Sequence, residues 1–143
     1  MCSSDLDSAK RRAWRSKQNV DNSFLMCYCK DFSHYYVHLE DDVTSSPSFF
    51  PKLRNVITKT STEWPRLNVA VKGSLAKVYH SHDLENMASF LYLMYDEMPI
   101  DWLMDRWMNF KYHVRYEKEP FLASLFQHAG VQSSLSEKGP NNN

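Results

Sequence analysis

Three consecutive acidic residues, Glu40, Asp41 and Asp42, are the first candidates for chemistry in this chain. Neighbouring carboxylates repel one another, and a hard divalent cation with oxygen ligands compensates that repulsion well. A Mg²⁺ or Mn²⁺ ion held by one or two of these carboxylates could also bind the phosphates of a nucleotide. The alternative is a solvated acidic turn after an edge strand. The residues alone leave both interpretations open.

A second pair of carboxylates, Asp101 and Asp105, lies four residues apart near the start of a helix that Pro99 opens. Residues at that spacing share a helix face. A carboxylate beside Trp102 would be partly desolvated, which raises its pKa and suits a general base. The alternative is structural, because an acid in the first turn of a helix is stabilised by the helix dipole. Arg106 could also pair with a neighbouring carboxylate.

Three further features have both a functional and a structural interpretation. His128 ends an apolar run before Gly130, where an imidazole could bind a metal or form a hydrogen bond in the core. Trp102 and Trp107 could stack on a sugar ring, although their helical spacing favours core packing. The basic residues between positions 10 and 17 could bind phosphate or form a solvated helix face.

The elements that position these groups follow from the spacing of apolar residues. Spacings of three and four predict helices at about 13–30, 49–59 and 82–96, and a fourth after Pro99. Strict alternation predicts strands at 34–39, 67–71 and 110–116. Helices and strands that alternate define the α/β class, in which ligands bind at the carboxyl ends of strands. Because a usual sheet has about five or six strands, we expect this chain to be part of a larger domain.

Length and composition limit the function classes. The chain has 143 residues, of which 43% are hydrophobic, enough for one domain with a core. Its 17 basic and 17 acidic residues create no net field that would attract nucleic acid. The pattern shows neither a membrane-spanning run nor a signal peptide. We predict a disordered extension at 1–12, a folded domain at 13–131 and a disordered polar tail at 132–143.

Several long motifs, taken together and in order, identify a family. They are Trp14–Asp21, Phe24–Met26, Tyr35–Asp42, Pro99–Asp105 and Ser124–Gly130. These stretches resemble the α-1,3-mannosyl-glycoprotein 4-β-N-acetylglucosaminyltransferases, the N-acetylglucosaminyltransferase IV family. The resemblance extends over roughly residues 13 to 138 and is specific because several motifs agree. It implies a glycosyltransferase domain of the GT-A type, Rossmann-like, of which this chain would be the C-terminal part.

The resemblance also implies a metal and nucleotide site. The acidic triplet would take the part of the family's metal-binding motif, with Asp42 and His128 at a divalent ion, most suitably Mn²⁺. Glu40 and Asp41 would then contact the nucleotide sugar. The further nucleotide-sugar contacts that the resemblance implies are Lys17, Asn19, Asp21 and Gly73.

The implied reaction is an inverting transfer of N-acetylglucosamine from UDP-GlcNAc to a core mannose of an N-linked glycan. One direct displacement needs a base that deprotonates the acceptor hydroxyl. By analogy with related folds, Asp101 is the first candidate and Asp105 the second. The metal would neutralise the charge on the departing UDP. We therefore expect an enzyme of the hexosyltransferase class.

The chain also departs from the family. The resemblance implies a protein of the Golgi lumen held by an N-terminal membrane anchor, and no stretch of this sequence matches such an anchor. Nor does any stretch match the upstream nucleotide-binding units or the C-terminal sugar-binding module that the resemblance leads us to expect, and only Gly73 resembles the family in the loop at 68–74. The alternative function is therefore a catalytically inactive member that binds or regulates other Golgi glycosyltransferases. A truncated product without a stable fold is a third possibility.

Overall fold

The computed structural model describes residues 8–60, 64–70, 76–113 and 121–129, and for 121–123 the backbone only. The elements, in chain order, are α1 (Ala9–Cys29), β1 (Tyr35–Leu39), β2 (Val43–Ser45), α2 (Phe49–Lys59), β3 (Leu67–Ala70), β4 (Ala76–His80), a 3₁₀ turn (Ser81–Asp83), α3 (Leu84–Leu93), α4 (Ile100–Tyr112) and β5 (Phe121–His128). The described part of the chain has a mixed α/β structure, which is consistent with the predicted α/β class.

The strands form one five-stranded sheet in the order β1-β4-β3-β5-β2. All neighbouring pairs are antiparallel except β3 and β5. The two edge strands, β1 and β2, are joined only by Glu40, Asp41 and Asp42. The edges of a flat five-stranded sheet are about 19 Å apart, whereas the chain from Leu39 to Val43 spans at most about 14 Å. The sheet must therefore curl, and the acidic triplet lies where its two edges approach.

The sheet separates two cores. Successive residues of a strand point to opposite faces, and on β4 Val78 belongs to one cluster while Tyr79 belongs to the other. The Tyr79 cluster also holds Met26 of α1 together with residues of α3 and α4. The Val78 cluster holds Leu53 of α2 with residues of β3 and β5. Helices therefore cover both faces of the sheet.

Helix α1 is fixed to the rest of the chain by polar side chains on one face. Arg15, Asn19 and Ser23 recur every four residues and are all buried. The Ser23 hydroxyl donates to the carbonyl of Ala88 in α3 at 2.7 Å. The helix begins at a Ser8 cap, whose hydroxyl accepts from the Arg11 amide. The bond from Ser23 therefore holds α1 against α3.

The strand predicted at 110–116 is wrong for residues 110–112, which form the last turn of α4; residues 114–116 lie outside the described part of the chain. The alternation of Phe110 and Tyr112 misled the prediction. The buried residues Trp107 and Met108 continue the helical spacing, with Tyr112 packed against the same core, whereas Phe110 is exposed. Tertiary packing decides the structure here, and His113 ends the helix in the left-handed conformation with φ 53°.

Three strands were not predicted: β2, β4 and β5. The apolar run at 124–130 was recognised, but the structure places 124–128 in β5. The helix predicted at 82–96 is shorter, since α3 begins at Leu84 after the 3₁₀ turn and ends at Leu93. Residues 9–12, which were predicted to be disordered, form the start of α1. The rest of the predicted disordered ends and the domain boundaries remain predictions. In the described part of the chain, no helix has the length and apolar character needed to cross a membrane.

Candidate active site

A cavity of about 760 Å³ opens where three parts of the chain meet. These parts are α1, the carboxyl end of β1 with the acidic triplet, and the start of α4. Ligand pockets typically have about 300–1,000 Å³, so the volume suits a small ligand. The lining residues are Arg11, Trp14, Arg15, Gln18, Asn22, His38, Leu39, Glu40, Asp41, Asp42, Pro99, Ile100, Asp101, Trp102 and His128.

One wall of the cavity carries two carboxylates and an imidazole. Glu40, Asp42 and His128 each present one ligand atom, and these atoms all lie within 4.8 Å of one another. The pairing of β2 with β5 creates this group, because Val43 is the register partner of His128. The amide of Ala129 donates to the Asp42 carbonyl at 2.7 Å, which fixes the same junction. The curl of the sheet thus brings together Asp42 and His128, which are distant in sequence.

This group fits a divalent metal ion. Three donors within 4.8 Å can share one ion, because ligands bind such ions at about 2.0–2.3 Å. Carboxylates suit Mg²⁺ and Mn²⁺, and the added imidazole favours a transition metal such as Mn²⁺ over Mg²⁺. Nε2 of His128 lies 3.0 Å from Oδ2 of Asp42, so both side chains already point to one place. Asp41 lines the cavity but is exposed and lies outside this group.

Asp101 lines the same cavity from the first turn of α4 and is half-buried. Two side chains of α1 hold the backbone that leads to it. A guanidinium nitrogen of Arg15 donates to the Asp96 carbonyl at 3.0 Å, and Nδ2 of Asn19 donates to the Met98 carbonyl at 2.9 Å. The start of α4 is therefore positioned by buried polar bonds. Asp42, Asp101 and His128 do converge on one cleft, as the resemblance requires.

His38 lies on the cavity wall at the end of β1 and is buried. Burial lowers the pKa of its imidazole to about 4; the charge of Asp101 acts in the opposite direction and that of Lys77 in the same direction. The hydroxyl of Tyr36 lies 3.4 Å from Nδ1 of His38. Burial also raises the pKa of Tyr36 to about 12. At neutral pH the cavity therefore has an uncharged imidazole beside Asp101.

Asp105, the second candidate base, is not among the residues that line the cavity. Its carboxylate is buried and accepts a hydrogen bond from Arg66 at 2.6 Å. Nζ of Lys77, also buried, lies 3.7 Å from the same oxygen. A carboxylate held by two cations in the interior serves to connect α4 to the sheet. Arg106 was considered above as the partner of a structural carboxylate. In the structure, the partner of Asp105 is Arg66 instead.

Three described residues that the resemblance assigned to the nucleotide sugar, Lys17, Asn19 and Asp21, do not line the cavity. Lys17 and Asp21 form an exposed ion pair one helical turn apart. Asn19 is buried, and its Nδ2 donates to the carbonyls of Tyr95 and Met98 at 2.7 and 2.9 Å. Gly73 lies outside the described residues.

One face of α1 was not predicted to line the site. Its cavity-lining residues recur at helical spacing, and they are Arg11, Trp14, Arg15, Gln18 and Asn22. That spacing is the signal that would have found them, since positions three and four apart share a face. The interpretation of the basic run as a solvated helix face is wrong for Arg15, which is buried.

The sequence model of one family, the MGAT4 conserved region, matches residues 2–142. Among curated relatives, alpha-1,3-mannosyl-glycoprotein 4-beta-N-acetylglucosaminyltransferase C of Sus scrofa is 43% identical over 95% of this chain and 28% of its own length. The B form of Danio rerio is 37% identical over 92% of this chain and 26% of its own length.

A third relative carries a different linkage in its name. The alpha-1,6-mannosyl-glycoprotein 4-beta-N-acetylglucosaminyltransferase of Gallus gallus is 39% identical over 90% of this chain and 28% of its own length. The chain thus spans little more than a quarter of the curated relatives it matches. No solved structure matches it.

Proposed function

The chain belongs to the MGAT4 conserved-region family, and from that membership we propose that it forms part of the active site of an N-acetylglucosaminyltransferase. The substrates would be UDP-GlcNAc and a mannose of an N-linked glycan, and the location would be the Golgi lumen. The names of the relatives support the sugar transferred and the mannosyl glycoprotein acceptor. Helices on both faces of a mixed sheet are compatible with a GT-A domain.

One observation carries this proposal: Glu40, Asp42 and His128 share a cavity with Asp101. An inverting transfer needs a site for the leaving diphosphate and a base for the incoming hydroxyl. Glu40, Asp42 and His128 would hold a divalent ion, and their mixture of carboxylate and imidazole donors favours Mn²⁺. Bound there, such an ion neutralises charge on the diphosphate.

Asp101 would act as the general base. Its carboxylate would take the proton of the acceptor hydroxyl while that oxygen attacks the anomeric carbon of GlcNAc. The bond from this carbon to the diphosphate oxygen breaks, and UDP leaves with the electron pair. The neutral imidazole of His38 adds no competing positive charge beside this carboxylate. We do not assign the role of general base to Asp105, because Arg66 and Lys77 hold its carboxylate in the interior.

The test is UDP-GlcNAc binding by titration calorimetry, with and without Mn²⁺. The wild-type chain should bind only with the metal, and Asp42→Ala should abolish binding. The matched control is Asp41→Asn, which removes the neighbouring exposed charge but no ligand atom of the cluster. A transferase assay on a mannose-terminated N-glycan should then lose its activity in Asp101→Asn while nucleotide binding persists. Absence of binding in a folded wild-type chain would refute the proposal.

A second candidate is a non-catalytic partner of Golgi glycosyltransferases. The outward face of α1 and the turn that follows it favour this function, because Phe24, Tyr28 and Phe32 are exposed. Phe24 stacks on Tyr28 with ring centroids 6.4 Å apart, and Phe32 meets Tyr28 edge to face at 5.0 Å. Exposed aromatic patches of this kind mark interaction surfaces. Co-purification with a Golgi glycosyltransferase, lost when these three residues are changed to serine and kept in Asp42→Ala, would support this function over the first.

A further inference from the structure

The four tryptophans of the chain fall into two classes. Trp64 and Trp107 are core residues with 5% and 4% of their surface exposed. Trp14 and Trp102 are 49% and 53% exposed, and both line the cavity. Indole rings are large apolar surfaces that folding normally covers at least in part. Two half-exposed rings in one cavity therefore indicate a surface that binds a ligand.

Helix geometry separates the two tryptophans of α4. Trp102 and Trp107 are five residues apart, which is about 140° around the helix axis. Trp107 therefore packs into the core while Trp102 faces the cavity. The packing interpretation of this pair holds for Trp107, and the sugar-stacking interpretation remains open for Trp102.

The groups beside the two rings are those of a saccharide site. Gln18 and Asn22 follow Trp14 on the same face of α1, and both line the cavity. Nδ2 of Asn22 donates to the backbone carbonyl of Gln18 at 2.9 Å, but a side-chain amide has two donor hydrogens and an acceptor oxygen, so both residues can still bind hydroxyl groups. Asp101 precedes Trp102. A pyranose ring has an apolar face of C–H groups and a rim of hydroxyls, so it matches an aromatic surface bordered by amides and a carboxylate.

We propose that Trp14 and Trp102 form the aromatic subsite that binds the acceptor glycan, with Trp102 stacking on the sugar whose hydroxyl Asp101 deprotonates. This inference rests on the proposed function and specifies its acceptor side. Trp102 belongs to the acceptor because it adjoins the candidate base. The donor diphosphate belongs to the Glu40, Asp42 and His128 group, on the wall formed by the β2–β5 junction.

The test measures binding of a mannose-terminated N-glycan, released from its protein, to the whole chain by titration calorimetry. Trp102→Ala should weaken glycan binding by about ten-fold or more, as truncation of a central tryptophan usually does. Trp102→Phe should retain most of the affinity because it keeps an aromatic face. The control is Phe110→Ala on the same helix, since Phe110 is 81% exposed but does not line the cavity.

A second measurement uses the exposure difference directly. A soluble quencher such as iodide reaches the exposed indoles, so quenching reports Trp14 and Trp102 and not the two buried rings. Bound glycan should protect this fluorescence, and Trp14→Phe should show how much of the protected signal comes from Trp102. Both rings are already about half exposed and lie outside the two core clusters, so these variants should fold.

The outcomes separate this proposal from the function on which it rests. Unchanged glycan affinity in Trp102→Ala, or the absence of glycan binding to wild type, overturns the aromatic subsite. Metal-dependent UDP-GlcNAc binding in the same preparation would show that the nucleotide site nevertheless works. The tryptophan variants should bind UDP-GlcNAc normally; a parallel loss of both ligands would mean that the rings support the cavity rather than the acceptor, and would also overturn the proposal.

Discussion

Asp105 and Asp42 are both acids that the sequence marked as candidates for chemistry, and the structure places them in opposite settings. Asp105 is buried and lies against the cations Arg66 and Lys77. Asp42 is half-buried at a cavity and lies with another carboxylate and an imidazole. Opposite charges in the interior stabilise one another and leave no position for a ligand. The two carboxylates at the cavity repel each other, and a bound cation would recover the free energy that this repulsion costs.

The largest effect that tests this comparison is the loss of Asp105. Asp105→Ala would remove the carboxylate that lies against the buried cations Arg66 and Lys77. Breaking a buried pair in this way typically lowers the free energy of unfolding by about 3–5 kcal/mol. Urea denaturation measures the free energy of unfolding. The control is Asp101→Ala on the same helix, which should cost no more than the helix-dipole contribution of about 0.3–1 kcal/mol. Equal losses in the two variants would mean that the buried cluster is not structural.

A change in stability of intermediate size is expected when a metal ion binds to Glu40, Asp42 and His128. If Glu40, Asp42 and His128 bind Mn²⁺ in the folded state, a concentration of 100 times Kd should stabilise the chain by about 2.7 kcal/mol. Thermal unfolding should show an upward shift that EDTA reverses. Asp41→Asn should keep the shift and Asp42→Ala should lose it, because Asp42 supplies a ligand atom to the group and Asp41 does not. A shift of equal size in all three proteins would place the ion elsewhere.

The acidic triplet illustrates how much the sequence predicted. Alternation identified β1, and so the position of the triplet at its carboxyl end. The same rule failed at 110–112, where packing of Trp107 and Met108 continues a helix. Period-two and period-3.6 patterns differ little over a few residues, so only long segments such as α1 are secure.

The meeting of Asp42 and His128 in space could not be predicted from local sequence patterns. His128 reaches Asp42 because β2 pairs with β5 and the sheet curls, and both are long-range events that no local spacing encodes. The family resemblance supplied that pairing, since it named Asp42 and His128 together. The resemblance ranked Asp101 before Asp105 but kept both as candidates for the base. The ion pair with Arg66 gives Asp105 a structural role, and local spacing could not predict that pair because Arg66 lies 39 residues away in the chain.

The smallest effect concerns Lys17 and Asp21, which pair on the exposed surface of α1. An exposed pair one helical turn apart contributes about 0.3–0.5 kcal/mol, and salt screens it. A double-mutant cycle with Lys17→Gln and Asp21→Asn should show that coupling at low ionic strength and lose it in about 1 M salt, where the Debye length is about 3 Å. The loss in Asp105→Ala should persist in the same salt, because its partners are buried. Coupling above about 1 kcal/mol that survives salt would show that Lys17 and Asp21 are shielded from solvent. The pair would then have to be reconsidered as part of a ligand site, as the family resemblance had assigned it.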